Sequence, residues 1–385
     1  MTSVKFYASK SIGKYFQDEI NKAFVKPELN VKCVPNGVIA IDNRVTSSFG
    51  VLTAKGKFVK ESIVCHRKGK RKIIRNYHSP PLPQTYPVID CDAVYLGDIN
   101  SSAFGHHLLE GWNRAYAFLD ENYRDMKFVF LNSKRLEIVP EFMMKLSQLL
   151  GIRAENFIIL KETTGFRNVY IPEQGFMIKT FSTKEFGEIY TKTAENVKQE
   201  FTFDKIYVSR ARLKPSQKTF GEENVQRIFE KNGYHIIYPE QLSLEEQIAL
   251  MKNCKFLAGC AGTALHLSLF MPSGGTVIQI KRNKLKDCNV ATQYLLTECK
   301  GQHLILIEGS IEETKTRHSW PLPQIIGVTE HLKLFFDDNG FTYSPEDIAF
   351  DEVAYEGYSK ANAAIKTKPL QKIVKRLSAF LWNRQ

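Results

Sequence analysis

The stretch that decides the fold begins Lys205-Ile-Tyr-Val-Ser-Arg210, continues through Lys255-Phe-Leu-Ala-Gly-Cys-Ala-Gly-Thr-Ala-Leu265 and closes with Gly275-Thr-Val-Ile-Gln-Ile280. The first run reads as a strand ending in Ser209-Arg210. Val225, Ile228 and Phe229 then recur at the spacing of one helical face between Glu222 and Asn232, and Gly233 stops that helix. Tyr234 to Tyr238 reads as the next strand, and Ser243 with Glu246 three residues on is a capping-box arrangement opening another helix. Lys255 to Ala258 is a short apolar strand, Gly259 to Thr263 a tight turn, Ala264 to Met271 a helix, and Gly275 to Ile280 a strand. Strands and helices alternating in this order predict a parallel sheet with helices on both faces, whose ligand sits beyond the carboxyl ends of the strands.

The turn at Gly259 is therefore where chemistry would be held. Gly259 and Gly262 let a ligand approach the backbone, and the N–H groups and dipole at the start of the following helix favour a phosphate. Arg210, at a neighbouring strand end, can grip a diphosphate with both arms of its guanidinium. Taken alone, the two glycines are accounted for by a plain strand-to-helix turn, and a lone Gly-x-x-Gly is a weak signal.

The ordered run Val208-Ser209-Arg210, Asn224, Tyr234 to Glu240, Leu242-Ser243 with Glu246-Gln247, Gly259-x-x-Gly262 and Phe270-Met271-Pro272 resembles glycosyltransferase family 61 in order and spacing. An upstream segment joins it: Gly105-His106-x-x-Leu109-Glu110 is similar to the family's Gly-His-x-Leu-x-Glu helix start. The resemblance implies an α/β GT-B fold, two Rossmann-like domains facing a central cleft. It also implies inverting transfer from a nucleotide sugar, expected to be UDP-linked, without an obligatory metal, in bacterial capsule and surface-polysaccharide synthesis. The chain departs from the family at the glycine turn, where the family's histidine is Ala261 and its asparagine Leu267. Either another nucleotide sugar is used or activity is lost. His266 lies elsewhere on the helix and need not stand in.

Inversion requires a base for the acceptor hydroxyl, and an imidazole with an unperturbed pKa of about 6.5 is largely neutral near pH 7. His106 is the expected base, Asp98 at the preceding strand end its rival, and Glu110, one turn on, an orienting or acceptor-binding group. His107 is read as a surface or packed histidine. On the donor side the expected contacts are Ser209, Arg210, Lys214, Lys218, Glu240, Glu246, Gly259, Gly262, Thr263, Ala264 and Leu265. Of these, Glu240 or Glu246 would hold ribose or sugar hydroxyls, and Lys214 or Lys218 would assist Arg210.

The 385 residues suit two domains, and 43% hydrophobic with 24% charged residues is ordinary for a globular chain. We divide it into an acceptor-side domain over 1–180, a donor-side domain over 181–310, a segment 311–365 packing back across the first domain, and a tail 366–385. No run of 18 apolar residues and no signal peptide is read, so a cytoplasmic protein is expected. Seven cysteines form no Cys-x-x-Cys pair, which argues against a zinc site or a disulfide framework; Cys260 reads as a small filler.

Lysine and arginine number 53 against 41 acids, a net charge of +12, and half of that excess lies in Lys366 to Gln385. There Leu370, Ile373, Val374, Leu377, Phe380 and Leu381 follow helical spacing behind Pro369. This is the pattern of a helix lying on the anionic inner face of the cytoplasmic membrane; the plain alternative is a basic helix docked on the protein's own acidic face. A second cluster, His66 to Lys72, is either a solvated hairpin turn or a device that steers an anionic polysaccharide or glycolipid acceptor. Nucleic acid is not an expected partner, because aromatics do not interleave with the basic residues. The competing function class is a non-catalytic nucleotide- or carbohydrate-binding subunit of a polysaccharide assembly complex.

Overall fold

The computed structural model describes residues 3–364 apart from 43, 46–47, 68–72, 75, 77, 100–103, 133–139, 215–217, 284–289 and 312–322. The tail 366–385 and most of the basic cluster at 66–72 lie outside the described residues. The fold is mixed α/β, built on two large sheets.

One sheet has six strands, all parallel, in the order Val4–Tyr7, His303–Glu308, Thr276–Lys281, Phe256–Cys260, Lys205–Val208, His235–Ile237. From Lys205 onward this is the alternation expected from sequence. The helices form because one face of each is apolar: Val225, Ile228 and Phe229 are buried from the helix Glu222–Lys231. At Leu244–Lys252 the cap is complete, Ser243 N–H donating to Glu246 Oε2 at 2.8 Å and Glu246 N–H to Ser243 Oγ at 3.2 Å. The order places Lys205–Val208 between Phe256–Cys260 and His235–Ile237, so the winding reverses beside Val208 and Cys260. In open parallel sheets a crevice for ligand lies at this reversal.

The second sheet has seven strands. Val88–Asp98, Lys127–Leu131, Phe157–Leu160 and Thr164–Pro172 run parallel, while Val31–Pro35, Val38–Ile41 and Phe49–Leu52 pair antiparallel. Val31–Pro35, Val38–Ile41 and Phe49–Leu52 thus widen a parallel sheet. The two sheets also share apolar packing. One cluster of buried side chains runs from Val94, Phe128 and Phe130 through Met143, Ile189 and Tyr190 to Ile206, Val208 and Leu257. Each such side chain contributes about 1.5–3 kcal/mol when fully buried, so the shared cluster holds the lobes together.

Two parts of the chain lie differently from the division read in sequence. Val4–Tyr7 pairs with His303–Glu308, and the helix Lys10–Ile20 buries Ile12, Tyr15, Phe16 and Ile20 in the shared cluster, so the start of the 1–180 segment belongs to the other sheet. Among the described residues, the segment after 311 packs on the side of the six-stranded sheet through Leu332, Phe335, Phe336 and Phe341. Phe335 of the helix Glu330–Asp338 meets Tyr7 edge-on at 5.4 Å, and Phe229 lies 5.7 Å from Phe336. Lys231 Nζ reaches Asp347 at 2.6 Å and Asn224 Nδ2 reaches Asp351 at 3.0 Å, tying 341–351 to the helix Glu222–Lys231. The reason is complementarity: the aromatic face of Phe229 and Tyr234 needs apolar cover, and Phe335, Phe336 and Phe341 supply it. Among the described residues no helix is long and apolar enough to cross a membrane.

Candidate active site

At the reversal point, Val208 ends its strand and the chain turns outward through Ser209 and Arg210. Ser209 is held by its own turn: its hydroxyl donates to Gln226 Oε1 at 2.6 Å and accepts from Ala211 N–H at 3.1 Å. On the adjacent strand, Cys260 is followed by Ala261 and Gly262, which precedes a 3₁₀ helix over Thr263–Phe270. Gly262 has an extended backbone that any residue adopts, so its smallness answers a contact. A methyl group there would lie 3.2 Å from an Arg210 Nη1 and 3.8 Å from Arg282 Nη2. Two guanidinia therefore flank this one backbone position.

Arg282 was not among the residues sequence suggested. It comes directly after the next strand, Thr276–Lys281, and its Nε donates to the Ala261 carbonyl at 2.6 Å. Burial, with the charge of Arg210 behind it, draws its guanidinium down to about 10. Beneath lies Glu222, fully buried, accepting from Tyr207 OH at 3.2 Å and from the Arg210 backbone N–H. Burial pushes its carboxyl up to about 7 against those favourable contacts. The buried Cys260 thiol is raised well above its usual range, chiefly by burial and then by Glu222, which makes it a poor nucleophile.

A cleft of ≈ 430 Å³ opens over this edge, with Ser209, Arg210, Glu240, Thr263, Ala264 and Leu267 on one side. Phe104 and Phe142 of the other lobe form the opposite wall, edge to face at 5.4 Å. Gly105 abuts Thr263 so closely that a methyl group would collide with the threonine side chain. The two sequence segments thus meet at one junction.

His106 comes next after Gly105, its side chain half exposed, with Nδ1 2.8 Å from Glu110 Oε2. The turn Phe104–His106 passes into a π-helical turn, His107–Gly111, closed by Trp112 N–H on the His107 carbonyl at 3.0 Å. Such widened turns occur often at functional sites. An ionised Glu110 only accepts, so Nδ1 carries the proton, and in the neutral ring Nε2 keeps its lone pair. Burial draws the His266 ring down to about 4, and His106 lies near enough to add to that shift whenever its own ring is protonated. His107 is packed against Trp112, Phe130 and Phe142, and burial lowers it to about 3.

The remaining expected residues separate. Asp98, at the end of Val88–Asp98, is buried, and neither it, Glu110 nor His106 itself lines the cleft. Glu246 is occupied in the helix cap, and Leu265 is core. Gly259 lies against Val208, where a side chain would force two strands apart. Lys214 is exposed, Lys218 pairs with Glu223 at 2.5 Å, and the guanidinium that lies with Arg210 at Gly262 is that of Arg282. A larger cavity of ≈ 610 Å³ lies between Phe24, Lys26, Lys60, Met177 and Phe181, and none of the expected site residues lines it.

A family model described as Glycosyltransferase 61 matches residues 104–278, which begin at Phe104 and include Arg210 and Gly262 but not Arg282. Among solved structures, the iron-containing dodecameric glycosyltransferase TibC from enterotoxigenic E. coli H10407 is similar at 9% identity, covering 92% of this chain and 97% of that one, with a TM-score of 0.26. A likeness that slight carries no argument about this fold. No curated protein matches the chain.

Proposed function

We propose, from the glycosyltransferase 61 model that matches residues 104–278 and from the geometry of the cleft, that the chain is a glycosyltransferase of that family and transfers a sugar, with inversion, from a UDP-linked donor to a hydroxyl of a polysaccharide or glycolipid acceptor. The observation that carries this reading is the single cleft into which Ser209, Arg210, Glu240, Thr263 and Ala264 open, faced by the segment bearing His106. In the reaction, the acceptor oxygen attacks the anomeric carbon while the bond from that carbon to the diphosphate oxygen breaks. His106 Nε2 takes the hydroxyl proton, and Glu110 holds the ring in the required tautomer. The electron pair leaves with the diphosphate, whose charge Arg210 and the N–H groups of Gly262 and Thr263 receive. Glu240 is the group for sugar or ribose hydroxyls.

We read the two large sheets facing this cleft as a GT-B arrangement that needs no metal for the chemistry. The basic tail 366–385, supported by its sequence pattern alone, is the element for the inner face of the cytoplasmic membrane, where capsule or surface polysaccharide is assembled. Incubating the protein with a panel of nucleotide sugars and following released nucleotide tests the reading. Slow donor hydrolysis or transfer with one donor is expected. Binding without turnover for every donor and acceptor pair contradicts it.

A further inference from the structure

We infer that Arg282 is the second arm of a two-guanidinium clamp for the donor's diphosphate, meeting Arg210 at Gly262. The inference rests on the donor reading above and adds a residue beyond the segment matched by the family model. Three observations converge. A methyl group at Gly262 would meet both guanidinia, at 3.2 and 3.8 Å. Arg282 is anchored through Nε to the Ala261 carbonyl at 2.6 Å, which fixes the plane of its fork and turns Nη2 toward Gly262. And both arginines lie just past parallel strands, Lys205–Val208 and Thr276–Lys281, that flank Phe256–Cys260 at the carboxyl edge where ligands of this sheet type lie.

The charge balance points to the ligand's chemistry. Two buried cations share one buried carboxylate, Glu222, whose charge acts on both. Like charges held together in a low-dielectric site repel, and burial of each costs free energy unless an anion joins them. A group with two adjacent phosphoryl units offers each fork its own pair of oxygens, whereas a monophosphate must share three terminal oxygens between both. Arg282 therefore selects the diphosphate over the monophosphate, and Gly262 is the gap through which the backbone reaches between the arms.

The test is the ratio of affinities for nucleoside diphosphates and monophosphates, measured by calorimetry on the full chain with the uridine, guanosine, adenosine, cytidine and thymidine pairs. For the pair that the wild type binds best, Arg282→Gln is expected to lower the ratio by about tenfold or more, the loss of a charge-assisted hydrogen bond. An unchanged ratio overturns the inference while leaving the donor reading standing. Absence of diphosphate binding to the wild type refutes both. Should Arg282→Gln unfold, Arg282→Lys retains charge without the fork and is expected to lose most of the preference; a wild-type ratio in that variant overturns the clamp. A crystal of the wild-type protein with inorganic pyrophosphate reads the contact without any variant. A phosphate oxygen about 3 Å from an Arg282 Nη supports it, and pyrophosphate bound away from Arg282 contradicts it.

Discussion

The two walls of the cleft are built on opposite plans. On the side of the parallel sheet, Ser209 and Arg210 line the cleft and are buried, each fixed by contacts to backbone or helix, and Arg282 is buried next to Gly262 without lining the cleft itself. Across from it, His106 has a side chain half open to solvent on a turn of mixed α and π character, anchored to Glu110. A buried, preorganised surface suits the part of the reaction where charge must be held without rearrangement. An exposed imidazole suits a proton that must exchange with water between turnovers. On the proposed mechanism binding and proton transfer are separable, and mutations can show whether they are.

The largest effect should come from His106. His106→Ala is expected to lower kcat by about 10²–10⁴-fold with nucleotide diphosphate affinity unchanged. Equal losses of both would merge the two walls into one function. Arg210→Ala comes next: kcat/KM is expected to fall about 10²–10³-fold and diphosphate affinity to fall with it, whereas thermal stability stays close to wild type. A variant with full activity would remove Arg210 from the mechanism. Glu110→Gln keeps the shape but not the charge, so about a tenfold loss in kcat with a shifted acidic limb of the pH profile is expected.

Stability sharpens the contrast between neighbours His106 and His107. His107 is lowered to about 3 in the folded protein, against about 6.5 for a free imidazole, so the unfolded chain binds the extra proton first. Its contribution is complete above about pH 6.5 and is lost as pH falls toward 3, which amounts to about 2 kcal/mol at pH 5. Glu222, raised to about 7, acts in the reverse sense, contributing most at low pH and less as pH rises through 7. Comparing denaturant midpoints of the wild type and His107→Leu at pH 7 and pH 5 isolates the histidine: the variant should lose less on acidification. An identical drop in both would contradict the assignment. The smallest effect belongs to Glu246. Glu246→Ala should cost about 1 kcal/mol through the lost cap and leave activity unchanged; a large kinetic loss would return it to the donor site.

Much of the sheet-side wall of the cleft was legible in the sequence because its signals are local. Period and caps mark the strands and helices from Lys205 to Ile280, and Arg210 and Gly262 stand at strand ends that any parallel sheet brings together. Arg282 escaped because Ile278-Gln279-Ile280-Lys281-Arg282 reads only as a strand running into a basic loop. Its one signal is position, the first residue past the carboxyl end of a parallel strand, which is the rim where ligands of such sheets lie. Lys214 and Lys218 were favoured by nearness in sequence, but Lys218 turns to Glu223. The pairing of Val4–Tyr7 with His303–Glu308 joins segments from opposite ends of the chain and leaves no local mark. Nor does a π-turn, which differs from an α-turn by one residue in register. The aromatic face of Phe335 and Phe336 was visible as apolar; which sheet it would cover depended on Phe229 and Tyr234, a matter of tertiary fit.

The most direct measurement is a crystal structure of the protein with a bound nucleotide diphosphate sugar. The account predicts the diphosphate against Arg210 and the Gly262 backbone, and the anomeric carbon turned toward the wall that carries His106. A nucleotide seated elsewhere, such as the larger cavity between Phe24 and Phe181, or with its sugar pointing away from His106, would contradict it.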